Sequence, residues 1–202
     1  METRAVRDLT ILLPGDQPGD LPLLNALPSH GDAISGRRVT GQVLARVHVT
    51  DTAVRGCWLT NADLSGARFE SASFDRCVFR GSTLIGAHLT DVVLKNVIFE
   101  NCRLDYASIN RARTLGPTAF LGCSLAETAI EDSTFTQAAL DNCNLTGLAL
   151  DTTDLRGADL RGNDLAAIAG ITNIRGATIS DHQLPGISEA LVRDLELMIK
   201  TG

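Results

Sequence analysis

The 202-residue sequence has few aromatic residues, at 4% of the chain, although apolar residues reach 44%. A core built from Leu, Ile, Val and Ala with few large rings is expected to be narrow. The five Cys, an odd number without a C-x-x-C pair, argue against a disulfide framework and against a zinc knuckle. No apolar run is long enough for a signal peptide or a membrane span, which predicts a cytoplasmic protein that does not bind membranes.

The chain also lacks a basic surplus and the motifs of common catalytic sites. Its net charge is −6, so it has no excess of cations to neutralise phosphates, and we expect no direct binding to nucleic acid. The four histidines are scattered, none at a ligand-like spacing from Cys or a carboxylate, which predicts no metal site. No G-x-S-x-G, G-x-G-x-x-G or Walker-type loop occurs. The sequence therefore predicts a protein that is not an enzyme and holds no cofactor.

Large apolar residues recur at every fifth position. Between residues 61 and 89 these apolar centres are Leu64, Phe69, Phe74, Phe79, Leu84 and Leu89. Neither an α-helix, with 3.6 residues per turn, nor a strand, with a period of two, keeps every fifth side chain on one face. The series runs from 34 to 109, resumes one residue late from 120 to 165 after an interruption at 110–119, and slips again before Ile174. Self-similarity of this length indicates a repeat architecture.

The positions around each centre are also regular. Two residues before it the side chain is usually small, and all five Cys stand there, which favours small buried residues over redox or metal roles. Two residues after it Gly recurs, which indicates a corner in each unit because Gly is favoured in the fourth position of a type I turn. Like residues often lie twenty positions apart, as do Cys57 and Cys77, so four units are expected to close a square coil. Stacked coils would form a slender rod with a spacing of about 4.8 Å.

Units such as "ADLSG", "AHLTD", "CNLTG" and "ADLRG" resemble the A-[DN]-L-x-x consensus of the pentapeptide repeat family. The resemblance implies the fold of that family, an all-β solenoid in the form of a right-handed quadrilateral β-helix. We predict that residues 34–180 form this β-helix. Because the ends of a solenoid must be capped, we predict that residues 1–33 plug its N-terminal end and that residues 181–202 form a C-terminal capping and dimerisation helix.

The segment "GISEALVRDLELMIK" has the pattern of a helix, with Ser188 as a candidate N-cap. Its apolar face either closes the last coil alone or also meets a second protomer about a two-fold axis, and its width favours the second. The resemblance to the quinolone-resistance group of the family, which dimerises through such a region, likewise implies a homodimer. The residues predicted at the dimer interface are Ile187, Leu191, Val192, Leu195, Met198 and Ile199.

Charge is distributed unevenly along the chain. Residues 34–113 carry eleven basic and seven acidic residues, whereas residues 114–154 contain no Lys or Arg. The acidic residues of this second stretch all stand at outward positions, and they are Glu127, Glu131, Asp132, Asp141, Asp151 and Asp154. They serve either solubility alone or the binding of a partner, because a narrow rod of negative charges resembles duplex DNA, which carries one charge per about 1.7 Å. Trp58 and Tyr106 also stand at outward positions, as contact points or as ordinary exposed residues.

Rods of the quinolone-resistance group bind type II topoisomerases, chiefly DNA gyrase. The resemblance therefore implies a protein that mimics DNA, binds gyrase through the six acidic residues, and modulates the enzyme or protects it from gyrase-targeting antibiotics. The alternative is a non-enzymatic solenoid scaffold that binds another protein partner, since most members of the family have no assigned role.

Overall fold

In the computed structural model, which describes residues 2–200, the chain winds into a four-sided β-solenoid. Strands of successive coils pair in parallel, and paired residues are twenty positions apart, as are Phe69, Leu89 and Ile109. The predicted all-β solenoid of five-residue units with a helix near its C-terminus is confirmed. Residue 1 and residues 201–202, the outermost parts of the two predicted end segments, lie outside the described residues.

Residues 2–200 contain seventeen short strands. In chain order these are β1 (Thr3–Val6), β2 (Leu9–Leu12), β3 (Ala33–Ser35), β4 (Arg38–Thr40), β5 (His48–Thr50), β6 (Ala53–Arg55), β7 (Trp58–Thr60), β8 (Arg68–Glu70), β9 (Ser73–Arg80), β10 (His88–Thr90), β11 (Val93–Glu100), β12 (Ser108–Asn110), β13 (Arg113–Thr114), β14 (Thr118–Leu121), β15 (Ala129–Glu131), β16 (Ala138–Asp141) and β17 (Ala149–Asp151). Strands β1 and β2 form an antiparallel hairpin, and the others belong to the coil. Most coil strands have only three residues because a corner follows each five-residue unit.

The coil has four faces, which we number in chain order and define by the apolar centres. Face 1 begins at Ile34, face 2 at Val39, face 3 at Leu44 and face 4 at Val49, and each face gains one unit per coil. Faces 1 and 2 share a nine-stranded sheet because β9 and β11 continue around the corner between them. Face 4 is a six-stranded sheet, whereas face 3 is held by single bridges between residues twenty or twenty-one positions apart.

The apolar centres fill the interior as one continuous column of buried side chains. Phe79, Phe99 and Phe120 of face 2 stack with ring centroids 4.7 and 4.8 Å apart. This distance equals the spacing of neighbouring β-strands, so one aromatic ring fits each coil without forcing the coils apart. These centroid distances also lie within the range of about 4.5 to 7 Å that aromatic pairs prefer.

The five cysteines are all free and buried at the small position before a centre. Four of the thiols donate to a backbone carbonyl of the preceding coil, as Cys102 does to Phe79 at 3.4 Å and Cys143 to Phe120 at 3.3 Å. Ser82 and Thr153 occupy the same position elsewhere and make the same contact, to Leu59 at 3.1 Å and to Ile130 at 3.0 Å. The position therefore favours small side chains that donate a hydrogen bond at a coil corner.

The residue two positions after a centre takes a left-handed backbone at most corners. Gly86 does so with φ 63°, and Asn101 with φ 52°. This conformation explains the recurring Gly better than the type I turn that we predicted, because only Gly adopts positive φ without steric cost and Asn tolerates it.

Two register slips interrupt the coil where the sequence predicts them. Leu94 pairs with Thr114, twenty residues on, but Val97 pairs with Thr118, twenty-one on, so the extra residue lies at the corner between β13 and β14. The second slip follows Gly170, where a 3-10 helix over Ile171–Ile174 replaces a strand. An added Cβ at Gly170 would overlap the Leu150 carbonyl oxygen, so this corner requires glycine.

The N-terminal segment does not only plug the end of the coil, as we predicted. The β1–β2 hairpin lies along the outside of face 2 and forms a second core with it. From the N-terminal segment this core contains Val6, Ile11, Leu13 and Leu21, and from face 2 it contains Trp58, Val78, Ile98, Ala119 and Ala139. Trp58 points away from the interior of the coil but is buried under the N-terminal segment, and its indole N–H donates to the Asp16 carbonyl at 3.1 Å. Tyr106 is 68% exposed.

Residues 21–31 do cover the N-terminal end of the coil. Leu24 and Leu27 pack against the main core, and the Leu24 amide donates to the Arg38 carbonyl at 2.8 Å. The Arg38 amide in turn donates to Pro22 at 3.1 Å, so the first strand edge of face 2 has backbone partners.

At the C-terminal end, a 3-10 helix over Asp181–Gln183 leads into the helix α1, Leu184–Asp194. Our assignment of Ser188 as N-cap is wrong, because Ser188 lies inside α1 and its hydroxyl donates to the Leu184 carbonyl at 3.0 Å. The capping box belongs to Ser180 and Gln183 instead. With eleven residues, α1 cannot span a bilayer, and no other helix in residues 2–200 could.

Candidate functional site

The structure separates the six predicted partner-binding carboxylates onto different faces. Glu131, Asp132 and Asp151 lie on face 4, and Glu127 stands at the corner that leads into it. These four are exposed. Asp141 lies on face 2 and Asp154 on face 1, and both are only partly exposed. The candidate site is therefore an acidic patch, which we define as Glu127, Glu131, Asp132 and Asp151.

The acidic patch is positioned by two neighbouring strands of the face 4 sheet. Glu131 of β15 and Asp151 of β17 are direct register partners, so their carboxylates stand side by side on adjacent coils. Like charges at directly opposed positions repel. Within residues 2–200 no ion pair involves any carboxylate of the patch, and Glu131 accepts one hydrogen bond, from the Asn110 side-chain amide at 3.2 Å.

The acidic residues in the N-terminal half of face 4 each have a side-chain nitrogen beside them, in contrast. His30 lies 3.6 Å from Asp51, and His48 lies 3.1 Å from Glu70. Arg111 forks onto Asp91 with two hydrogen bonds, of 2.8 and 2.7 Å, which hold the pKa of that carboxyl below its ordinary value. Arg111 is the last Lys or Arg on this face, so it marks the N-terminal limit of the acidic patch.

Asp141 is occupied by the N-terminal hairpin. The Arg7 guanidinium, in the turn between β1 and β2, donates to the Asp141 carboxylate at 2.5 Å and also reaches the Arg161 carbonyl at 3.3 Å. Asp8 of the same turn lies 3.3 Å from Arg161. The charge of Asp141 is therefore balanced within the chain, and its carboxylate is less available to a partner than the outward position predicted.

Asp154 has a structural role in the repeat unit. It is the [DN] residue of its unit, and its carboxylate accepts from the Arg156 backbone amide at 3.0 Å, which closes a local turn. The Arg156 guanidinium adds bonds of 2.9 and 2.6 Å. These hydrogen bonds lower the pKa of Asp154 to about 2. Asp63 and Asp159 accept from the amide two residues on at the same place in their units, which accounts for the consensus acid.

The predicted dimer-interface residues divide into two groups. Ile187 and Leu191 pack against the main core beside the buried Ala190, so they close the last coil of their own chain. Val192 is partly exposed. Leu195, Met198 and Ile199 lie beyond the end of α1 and are 54%, 88% and 77% exposed. Leu197, which we did not single out, is 53% exposed beside them.

The end of the coil is also held by polar contacts from α1. Arg193 donates to the Ala166 carbonyl at 2.8 Å and to the Ile168 carbonyl, which satisfies two acceptors of the last coil. Asp194 accepts from the Ile171 amide at 2.7 Å. Because α1 is fixed in this way, the exposed segment that follows it, Leu195–Ile199, starts from a defined place. In residues 2–200 no group of His, Cys, Asp and Glu is arranged to hold a metal ion.

Sequence reasoning missed how charge is sorted around the rod, because we counted charges along the chain. Face 1 carries six Lys or Arg residues, whereas face 4 carries six acidic residues. The cations of face 1 are Arg55, Arg76, Lys95, Arg113, Arg156 and Arg175. Folding the sequence into four columns of five-residue units would have displayed this difference, because the twenty-residue period was already recognised.

The family model described as pentapeptide repeats matches residues 50–84 and 123–162, in eight copies. No curated protein matches the sequence.

Among solved structures, a trypsin-treated variant of QnrB1, a plasmid-mediated fluoroquinolone resistance protein, is 16% identical, with a TM-score of 0.45 over 84% of this chain and 99% of that one. Full-length QnrB1 is 16% identical, with a TM-score of 0.37 over 80% of this chain and 99% of that one. HetL, a pentapeptide repeat protein involved in heterocyst differentiation regulation from the cyanobacterium Nostoc sp., is 16% identical, with a TM-score of 0.24 over 77% and 86%. Similarities this low say nothing about the partner of this chain.

The matched repeats lie in both halves of the coil, on either side of the first register slip. Each matched unit contributes one side of the four-sided solenoid, with its apolar centre inside and its turn at a corner. Residues 50–84 and 123–162 are pentapeptide repeats, and the same four-sided solenoid continues on both sides of them.

Proposed function

We propose that this protein binds DNA gyrase in the cytoplasm as a mimic of DNA, and that it modulates the enzyme or protects it from gyrase-targeting antibiotics. The observation that supports this proposal most is the acidic patch, four exposed carboxylates without an ion pair in residues 2–200, on a rod of regular spacing. The resemblance to the quinolone-resistance group, a rod of such repeats with a C-terminal helix, supports gyrase as the partner. The function is binding through an outer surface rather than catalysis.

The spacing of the acidic patch can be compared with that of duplex DNA. Adjacent coils are about 4.8 Å apart, and the patch places four carboxylates on two adjacent coils. This gives roughly one charge per 2.4 Å of rod, against one per about 1.7 Å for the two strands of DNA. A basic groove shaped for DNA would therefore attract this segment, with complementary charge chiefly speeding encounter and setting orientation.

Dimerisation would lengthen the acidic surface. We propose that the exposed segment Leu195–Ile199 meets its copy about a two-fold axis, because four large apolar side chains of this segment are more than half exposed. The acidic patch lies in the C-terminal half of the coil, so a C-terminal dimer places two patches towards the middle of one long rod. Such a rod has the two-fold symmetry of duplex DNA.

The second candidate function is a scaffold for another protein. It is favoured by the loss of Asp141 and Asp154 from the acidic surface, because Arg7 and Arg156 neutralise them. Four free carboxylates instead of six make the likeness to DNA weaker, while they still attract any partner with a basic surface.

The test of the proposal is a gyrase supercoiling assay with and without ciprofloxacin, using the wild type and Glu131→Lys/Asp151→Lys. We expect the wild type to inhibit or protect the enzyme and the variant to act about 30-fold more weakly. Each of the two substitutions removes one attractive charge contact and adds one repulsive contact, and four such changes of about 0.5 kcal/mol each sum to about 2 kcal/mol. Asp20→Lys/Asp32→Lys is the matched control, since both residues are exposed, lie outside face 4 and give the same change in net charge.

Two results together would support the scaffold. The wild type would have no effect on gyrase, and it would bind a different protein that the charge-reversed variant fails to bind. For the dimer, Leu195→Asp/Met198→Asp should halve the mass measured by light scattering. These substitutions leave Ile187 and Leu191 on the core, so the coil stays capped. A wild type that is already monomeric would overturn the dimer.

A further inference from the structure

The four faces of the rod offer a partner very different surfaces. Face 1 is basic, since its six cations are opposed by three acidic residues only. Of these acids, Asp75 contacts Arg76 at 3.6 Å, and Asp154 is bound to Arg156. The remaining cations of face 1 are exposed and have no ion pair in the described part of the chain, and they are Arg55, Lys95, Arg113 and Arg175.

Face 2, on the opposite side of the rod from face 4, is covered. The β1–β2 hairpin and its second core lie over it, and Arg4 and Arg7 pair with Glu100 at 2.8 Å and Asp141 at 2.5 Å. A packed layer adds about 10 Å to the width of the rod on that side. The hairpin thus both widens the rod and neutralises the carboxylates that face 2 would otherwise present.

Face 3 adjoins face 4, and in its C-terminal half its outward residues are small or acidic. Its outward residues beyond Tyr106 are Ser124, Ala126, Glu127, Asn144, Thr146, Gly147, Asp164, Ala166 and Ala167. None of them is Lys or Arg. Over residues 124–147 side chains this small leave room beside the acidic patch, so a partner that contacts the patch can extend over this part of face 3 without meeting a cation or a bulky group. At the last coil the surface ends, because Arg193 of α1 lies against Ala166.

We propose that a basic partner docks on one side of this rod only, on the C-terminal half of faces 4 and 3, and leaves face 1 and the hairpin uncovered. The inference rests on the proposed binding to gyrase, whose basic DNA-binding groove is the occupant. Complementary charge draws the groove to the acidic patch, while the unpaired cations of face 1 repel it and fix the rotation of the rod about its axis. The rod is therefore not gripped all round as duplex DNA can be.

The experiment uses bulky adducts placed at three positions of one coil and at one position of the hairpin. All five native cysteines are buried, so a single introduced surface cysteine can be coupled selectively to maleimide–polyethylene glycol. Exposed positions for it are Thr152 on face 4, Thr146 on face 3, Gln137 at the edge of face 1 and Thr10 on the hairpin. Each conjugate is compared with its own unlabelled variant for binding to gyrase and to a flat surface coated with polylysine.

We expect the Thr152→Cys and Thr146→Cys conjugates to lose affinity for gyrase by about tenfold or more, and the Gln137→Cys and Thr10→Cys conjugates by less than about twofold. Equal losses for all four conjugates would overturn one-sided docking. If no form of the protein binds gyrase, the proposed function fails, and polylysine still decides the inference. If retention on polylysine falls only for the face 4 and face 3 conjugates, one-sided docking is upheld. If retention falls equally for all four conjugates, one-sided docking is contradicted.

Discussion

The hairpin on face 2 should undock before the coil unfolds when its central side chain is truncated. Ile11 is fully buried between the hairpin and the outer surface of face 2. In a solenoid each coil contacts only its neighbours, so the coil keeps its own pairing when the hairpin leaves. The hairpin itself is a two-stranded ribbon, which has marginal stability without the surface that it covers. The substitution Ile11→Ala therefore acts mainly on docking.

The size of the effect follows from the atoms removed. Ile11→Ala deletes three carbon atoms, which loses about 2.4 kcal/mol of transfer free energy at about 0.8 kcal/mol each. Incomplete collapse of the cavity raises the total to about 3 to 4 kcal/mol. By comparison, Arg7→Ala removes an ion pair whose partners are 30% and 39% exposed, and solvent screening limits its loss to about 0.5 kcal/mol. Packing of Ile11, rather than the ion pairs, holds the hairpin.

Trp58 provides the assay, because it is the single tryptophan of the chain and lies under the hairpin. Undocking exposes its ring and breaks the bond to Asp16, so the fluorescence emission should shift to longer wavelength. In urea titrations of Ile11→Ala, the fluorescence midpoint should fall well below the midpoint from far-ultraviolet circular dichroism. Thr10→Ala, on the exposed side of β2, is the control and should leave both midpoints unchanged. Midpoints that fall together in Ile11→Ala would refute the independence of hairpin and coil.

Three further predictions concern the coil itself. Gly170→Ala should lower the free energy of unfolding by about 3 kcal/mol or more, because the added Cβ meets the Leu150 carbonyl. The control Gly86→Ala should cost only the strain of a left-handed backbone, about 1 to 2 kcal/mol, because its Cβ meets nothing within 4 Å. Equal losses of the two variants in chemical denaturation would contradict this. The folded-state pKa of Asp154 is lowered to about 2, so the stability that this residue contributes is present above its unfolded pKa and is lost as pH falls from about 4 through 2. Asp154→Asn should therefore flatten the pH dependence of the melting temperature in that window. An unchanged profile would count against a stabilising role of the Asp154 carboxylate in its turn. Native protein should show almost no reaction with a thiol reagent, while denatured protein releases five thiols, and rapid native labelling would contradict their burial.

The coil could be predicted from the sequence because its period is imposed on every residue. The apolar centres, the small position before them and the twenty-residue spacing each report one geometric requirement of a square coil. The slips at Thr118 and Gly170 were also visible, because one residue more or less shifts all later centres. What the pattern did not reveal was the left-handed corner, since Gly, Asn and even Arg46 adopt it.

The hairpin could have been predicted from a signal that we did not use. Trp58, Val78 and Ile98 stand at outward positions of face 2, twenty residues apart, so they form an apolar column that needs a cover. Leu9, Ile11 and Leu13 stand two residues apart, and this period of two indicates a strand that could cover the column. Single outward apolar residues carry no such information, whereas a column in register does.

The availability of each carboxylate could not be predicted from its outward position. Asp141 pairs with Arg7, 134 residues away in sequence, and only the folded chain brings them together. Asp154 is engaged by Arg156, two residues on, which was visible as the "DLR" of its unit. The extent of the C-terminal helix was also overestimated, because "LELMIK" continues its apolar pattern although α1 ends at Asp194.

We propose that the exposed carboxylates of the acidic patch take the place of DNA phosphates in gyrase. Competition for gyrase between this protein and a short DNA duplex, measured by fluorescence anisotropy of the labelled duplex at increasing salt, tests it most directly. We predict that the protein displaces the duplex, that displacement weakens as salt rises, and that Glu131→Lys/Asp151→Lys displaces it poorly. A ternary complex in which gyrase holds the duplex and this protein together would contradict the account.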